Sequence, residues 1–380
     1  MQILFWATAA LVVYVYAGYP LLLVVVAACG GRKAIHPAAM EPAVTLVVSA
    51  YNEAGVIAEK IRNSLALDYP ADRLEVLVVS DASDDGTDDI VRQAGDARVR
   101  LLRMEGRGGK TLGLNAAVGQ ARGEVIVFSD ANAMYRADAI RKIVRNFSDP
   151  TVGAVVGEST YSDAVGGADQ DESLYWCYEV AIKRLESAVG SVVGGDGAIY
   201  AIRKHLYEPM RADALSDFVN PLQIVRGGHR CVYEPEAISV EEAAGDFDRE
   251  FRRKVRIVNR AWRATMALRG LLNPFRHGFF TLQLVSHKLL RWLVPLFLLA
   301  CFLSNALLIR EHRLYLVLFV VQACFYALAA AGHARRLHGE LPRLLALPYY
   351  FVMVNLASAR GILEAYRGKT YTTWTTPRAG

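Results

Sequence analysis

Three acidic clusters, far apart along a chain of 380 residues, carry the side chains best suited to chemistry. Ser129, Asp130, Ala131 and Asn132 follow an apolar run, and oxygen ligands two residues apart on an extended backbone project to the same side. Asp130 and Asn132 could thus hold a hard divalent cation, which prefers oxygen and neutralises a departing diphosphate. Asp81, Ala82, Ser83, Asp84, Asp85, Gly86 and Thr87 form the second cluster, which reads equally well as a solvated turn capping a helix. Ser216 and Asp217 form the third: a helix cap in its plain reading, a general base removing a hydroxyl proton in its functional one.

Glycines and cations lie between these carboxylates. Gly106, Arg107, Gly108, Gly109 and Lys110 make a turn that lets backbone and cations approach a phosphate, without the spacing of a Walker loop. Gly195, Asp196 and Gly197 allow close backbone approach to an acceptor, although a tight turn explains them as well. From Arg249 to Arg263 the chain carries Arg252, Arg253, Lys254, Arg256 and Arg260, a basic run suited to anionic headgroups or to clamping a pyrophosphate.

The elements that must position these groups follow from hydrophobic pattern. Short β-branched runs at Val44 to Ser49, Val76 to Ser80, Val125 to Ser129 and Val152 to Val156 alternate with helical spacing such as Val56, Ile57, Ile61 and Leu65. Buried strands alternating with helices predict an α/β domain with a mostly parallel sheet, whose ligands gather at the carboxyl ends of strands. The polar clusters after the first three runs stand at those ends.

Outside this middle region the chain is apolar. Hydrophobic residues make up 53% of the total and concentrate at the two ends. Ile3 to Cys29 carries no charge, enough for the roughly 20 helical residues a bilayer requires, and Arg32 and Lys33 follow it. The lack of a basic start favours an uncleaved anchor over a signal peptide, and the basic flank puts the next domain in the cytoplasm. Leu293 to Ile309 and Leu314 to Gly332, split by Arg310 to Arg313, read as a helical hairpin through the membrane. Leu344 to Leu363 is broken by Pro348, Asn355 and Arg360, leaving its topology open. A net charge of +5 is explained by membrane flanks rather than nucleic acid, and five scattered cysteines without a CxxC pair suggest neither zinc nor a disulfide framework.

Taken in order, the sites from Val44 to Arg260 resemble the inverting family 2 glycosyltransferases, a group that includes cellulose, chitin and hyaluronan synthases and bacterial exopolysaccharide enzymes. The resemblance implies a GT-A domain binding a nucleotide diphosphate sugar, UDP-linked by this likeness, and inversion at the anomeric carbon. Ala50, Tyr51, Asn52 and Glu53 are similar to the family's nucleotide loop; Asp81 looks like the base contact, and Lys110 would lie near the donor. Asp130 opens a DxD-like motif whose second position is Asn132, for a Mg or Mn cofactor. Gly195, Asp196 and Gly197 resemble the acceptor loop, and Asp217 the catalytic base, with Ser216 in place of an acidic neighbour. Arg253 and Arg256 fall where the QxxRW signature is expected, with Ile257 in place of Trp; Lys288, Arg291 and Trp292 fit that pattern later in the chain. Trp374 and Arg378 are similar to residues near the tail of hyaluronan synthases.

The organisation so implied is an N-terminal membrane helix at 1–30, a cytoplasmic GT-A domain at 40–245, interfacial amphipathic helices at 246–288, C-terminal membrane helices at 289–366 and a tail at 367–380. The expected setting is the inner or plasma membrane, multi-pass, with membrane lipids, a nucleotide-sugar donor and a glycan or lipid-linked acceptor as partners, and a homo-oligomer or export partner if the product is exported. A transferase adding one sugar to a lipid carrier would carry the same residues; a non-catalytic membrane scaffold is the reading outside the enzymes.

Overall fold

A computed structural model describes residues 1–162, 169–242, 247–337 and 341–373; Trp374 and Arg378 lie outside the described residues. Eight strands form one mixed sheet: β1 (Val44–Ala50), β2 (Leu74–Ser80), β3 (Val99–Arg103), β4 (Val125–Asp130), β5 (Met134–Tyr135), β6 (Val152–Ser162), β7 (Tyr200–Arg203) and β8 (Arg230–Glu242). Their order is β3-β2-β1-β4-β7-β6-β8-β5. The first four in that order are parallel, whereas β7 runs antiparallel to both β4 and β6. The four runs read from the sequence are β1, β2, β4 and β6, each lengthened.

Register explains why distant clusters meet. β1 pairs Ala50 with Ser80 and Ser49 with Asp130, so the segments after β1, β2 and β4 leave the sheet at one edge. Because β7 is antiparallel, its start lies beside the end of β4, with Phe128 opposite Tyr200. The glycines that precede β7 are thereby carried to Asp130. At the far side, Met134 of β5 pairs with Val240, which brings Glu241 next to the turn containing Asn132.

Both faces of the sheet are covered, as buried β-branched strands require. Ile57 and Ile61 of the Ile57–Leu65 helix join Ile140 and Ile143 on one face. On the other, Leu114, Ala117 and Val118 of the Lys110–Gln120 helix pack with Phe128 and Tyr200, whose rings stack at 4.6 Å.

Three described helices are long and apolar enough to cross a membrane: Gln2–Gly31, Phe279–Leu308 and Arg313–Leu337. Phe279–Leu308 begins well before Leu293, so Lys288, Arg291 and Trp292 sit inside a continuous helix rather than ahead of one. The amphipathic Phe247–Ala267 helix buries Val255, Val258, Ala261 and Trp262. Along it runs the Arg343–Tyr366 helix, and Gly361 makes that approach close. A Cβ at Gly361 would stand 2.8 Å from the carbonyl of Val255 and 3.1 Å from the amide nitrogen of Asn259. Gly361→Leu is therefore expected to push the two helices apart and lower stability by about 1–3 kcal/mol, the usual cost of overpacking. Thermal unfolding in mild detergent reads this, and a variant that melts like the wild type would contradict the close packing.

Candidate active site

Gly197 marks the point on which the charged groups converge. An ideal Cβ there would lie 3.6 Å from Asp217 Oδ2, 3.6 Å from Lys110 Nζ and 3.7 Å from Asp130 Oδ2. Three side chains, from three distant parts of the sequence, thus face one small volume. Lys110 Nζ also donates to Asp130 directly, as both an ion pair and a hydrogen bond. Burial opposes the charge on Lys110, but the carboxylate of Asp130 outweighs it and holds the ammonium above its ordinary pKa.

Asp217 occupies the first turn of the Ser216–Arg226 helix, where a carboxylate is favoured by the helix N-terminus. Its backbone carbonyl accepts from Gly195 N at 2.5 Å, which fastens this helix to the glycine loop. Burial pushes the Asp217 carboxyl above its ordinary pKa; Lys110 and Arg260 pull it down, Asp196 and Asp130 push it further up. A carboxylate made more basic in this way is suited to accept a proton.

The groups open onto a cavity of about 1070 Å³. Ser49, Glu53, Lys110, Asp130, Asn132, Gly195, Asp196, Gly197, Asp217, Arg253 and Arg256 all line it. Arg253 pairs with Glu250 through Nε at 2.6 Å, and Lys183 stands 3.7 Å from Asp196. Arg256 makes no hydrogen bond or ion pair among the described residues, and burial lowers its pKa somewhat. Arg260 is held by the carbonyls of Asp213 and Ala214 and by Thr111 Oγ1, and burial brings it down to about 10, still charged at neutral pH.

Three residues expected at the donor act at one remove from this cavity. Asp81 is buried, and its carboxylate accepts from the amides of Gly108 at 2.8 Å and Gly109 at 3.0 Å, so it shapes the glycine-rich turn. Asn52, with φ +54°, bonds Asp84 through both halves of its amide, and Ala50 accepts from the amide of Asp81. Arg107 covers the ring of Tyr51 at 3.6 Å. The second acidic cluster therefore ties the loops after β1 and β2 together. Within it, Asp85 accepts from the amide of Thr87 at 3.0 Å in a short turn, whereas the Thr87–Arg92 helix starts from Gly86 without a side-chain cap.

Two ionisable residues escaped the reading of the sequence. Glu241 faces the cavity from the end of β8; burial first, then repulsion by Asp130 and Asp196, pushes its carboxyl up to about 7. A carboxylate closing an apolar strand was the available signal. Lys60, fully buried, donates to the carbonyl of Ala133 beneath the Asp130 turn and lies 4.0 Å from the centre of the Tyr135 ring; burial brings it down to about 7. Its place among the apolar positions of a helix gave no hint of this contact.

Whether the site suits a divalent metal can be judged from its donors. Among the described residues no three His, Cys, Asp or Glu gather as ligands. Asp130 and Asn132 nonetheless offer oxygens on the cavity wall, Glu241 lies near, and the Lys110 ammonium against Asp130 shows that the position favours a cation. This set fits an ion that takes its remaining ligands from substrate phosphates, as Mg typically does.

A parallel-edged α/β sheet with such a cavity at its carboxyl end is the GT-A fold of nucleotide-sugar transferases. Residues 45–206 match glycosyl transferase family 2, and the chain carries a glycosyl transferase family 2 domain. A mannosyltransferase from Pyrobaculum calidifontis, solved in complex with GDP-Man and Mn2+, shares 25% identity and superposes with a TM-score of 0.71 over 96% of this chain and 99% of that one. A beta-monoglucosyldiacylglycerol synthase from Synechocystis sp. is 36% identical over 118 residues, 30% of this chain and 25% of the relative. An N-acetylglucosaminyltransferase from Rhizobium sp. is 25% identical over 267 residues, 65% of this chain and 59% of the relative. The chain thus spans a quarter to three fifths of the length of these two curated relatives.

A methyl group at Gly197 would make only ordinary contacts with the protein while occupying the point of convergence. Gly197→Ala is expected to melt like the wild type yet lose about 10²-fold in turnover, the scale set by a small misplacement of reacting groups. Parallel melting and sugar-transfer assays separate the two effects; full activity would place the reacting atoms elsewhere.

Proposed function

We propose that this protein is a membrane-bound, inverting glycosyltransferase that moves a sugar from a nucleotide diphosphate donor to a hydroxyl of a glycan or lipid-linked acceptor. The observation that carries this reading is the convergence of Asp130, Lys110 and Asp217 on Gly197, at the carboxyl edge of the sheet. In the proposed reaction Asp217 takes the proton of the acceptor hydroxyl. The freed oxygen forms a bond to the anomeric carbon from the face opposite the diphosphate, the bond from that carbon to the phosphate oxygen breaks, and its electron pair leaves with the nucleotide. Arg253, Arg256 and Lys110 supply positive charge to the departing group, as displacement chemistry of this kind requires. A divalent metal held by Asp130 and Asn132, when bound, would neutralise the same diphosphate.

Three apolar helices and the basic flank Arg32 and Lys33 support a multi-pass protein with this cavity on the cytoplasmic side. The names of the relatives favour sugar transfer in cell-surface glycan or glycolipid synthesis. The donor would be a UDP-sugar by resemblance to the polysaccharide synthases; the GDP-Man in the structural neighbour makes a GDP-sugar the second choice. Release of nucleotide from a panel of UDP- and GDP-sugars by purified protein in vesicles decides between them. Hydrolysis and transfer absent with every donor would sink the enzymatic reading.

Asp217→Asn should retain donor affinity while losing about 10²–10⁴-fold in turnover, the range for removing a general base. Binding by calorimetry beside initial rates makes the comparison. Because Asp217 must be ionised to act and its pKa lies above the ordinary carboxylate value, kcat/KM should fall with decreasing pH before free carboxylates protonate. An acid limb that persists unchanged in Asp217→Asn would assign it to another group.

A further inference from the structure

The cavity does not end at the catalytic carboxylates. Its far wall is built from Tyr16 of the Gln2–Gly31 helix and from Leu347, Tyr350, Phe351 and Val354 of the Arg343–Tyr366 helix. The rings of Tyr16 and Phe351 meet at a tilt, centroids 5.5 Å apart and planes at 52°, and Phe351 in turn meets Phe325 of the Arg313–Leu337 helix edge to face at 5.7 Å. Leu347 lines the cavity and is yet 55% exposed, so this wall opens outward onto the surface the apolar helices share. One continuous space therefore passes from charged residues at Gly197 to apolar residues among membrane helices.

Charge along the connecting wall is largely matched. Arg291 pairs with Glu179, and Lys183 faces Asp196. Arg256, without such a partner among the described residues, lies on the basic helix. A wall that is polar but balanced suits a hydroxyl-rich head, and the aromatic and aliphatic rim beyond it suits hydrocarbon.

We propose that this rim is a lipid portal: the acceptor is a lipid with a hydroxylated head, which enters from the bilayer between Tyr16 and the Leu347 to Val354 face, places its hydroxyl at Asp217 and leaves its acyl chain in the portal. The proposal rests on the glycosyltransferase reading above and narrows its acceptor to a membrane lipid.

The test uses full-length protein in phosphatidylethanolamine and phosphatidylglycerol vesicles containing diacylglycerol with a diazirine on an acyl chain. After irradiation, labelled peptides are mapped by mass spectrometry. Labelling is expected at Tyr16 and Tyr350 as well as at the outward-facing Leu303 and Leu307. Val354→Trp should cut labelling at Tyr16 and Tyr350 by about ten-fold, the effect of overfilling a packed channel, and leave Leu303 and Leu307 unchanged. Leu347→Trp, at the exposed rim, provides the same test should Val354→Trp fold poorly. Wild-type labelling confined to Leu303 and Leu307, or labelling at Tyr16 that neither variant reduces, would overturn the portal. No turnover enters this readout, so a failed portal is distinguishable from a failed transferase, which shows only in nucleotide release.

Discussion

A buried carboxylate, Glu186, stands where the sheet domain meets its flanking apolar helices. Glu186, fully buried in the Asp169–Val189 helix, accepts from Tyr19 Oη of the N-terminal helix at 2.5 Å and from the amide of Val193 at 3.0 Å. His287 Nδ1 of the Phe279–Leu308 helix lies 2.9 Å from the same side chain. A charge taken out of water is tolerated only when its hydrogen-bonding capacity is met, and here partners from three elements meet it together. Val193 leads directly into Gly194 and Gly195, so the contact shared by the first and later apolar helices also sets the start of the glycine loop. The seating of the domain on its apolar helices and the position of the glycine loop are thus one constraint.

Within the site, cations and carboxylates are arranged so that few are left without an opposite charge. Lys110 lies on Asp130, Lys183 near Asp196 and Arg253 on Glu250. Glu241, the nearest additional carboxyl, is raised to about 7 by burial and by its acidic neighbours, and is poised to ionise when positive charge arrives. Beneath them Lys60 and Asn63 grip the same turn, Asn63 through reciprocal bonds with the backbone of Tyr135 at 2.8 Å. The Tyr135 hydroxyl reaches the carbonyls of Phe128 and Ala198. That hydroxyl ties the Asp130 turn to the residue after Gly197.

At the glycine-rich turn, backbone conformation matters as much as charge. Gly109 has φ +88°, and the carbonyl of Thr372 passes where a side chain would project. The end of the described chain therefore packs on the turn that Asp81 organises, secured further back by Asn259 Nδ2, which donates to the carbonyl of Lys369 at 3.2 Å. Only glycine combines that dihedral with that approach.

Much of this was legible in the residue pattern. β-branched runs with polar ends announced a buried α/β sheet, because buried strands need apolar side chains on both faces. Uncharged stretches announced helices long and apolar enough to cross a membrane, because hydrocarbon tolerates little else. The spacing of Asp130 and Asn132 suggested a cation site, and the order of Asp81, Asp130 and Asp217 carried the resemblance to sugar transferases. Tertiary structure decided where each carboxylate stands: register sent Asp81 behind the glycine turn and Asp130 to the cavity, and the reversal of β7 delivered Gly197 and, through Gly195, Asp217. Glu241, Lys60 and Glu186 acquired their importance only by burial beside groups distant in the chain. Local sequence specifies backbone preference and hydrophobic period, whereas a carboxylate's role depends on its dielectric surroundings and opposite charges, which exist only once strands far apart in the chain have paired.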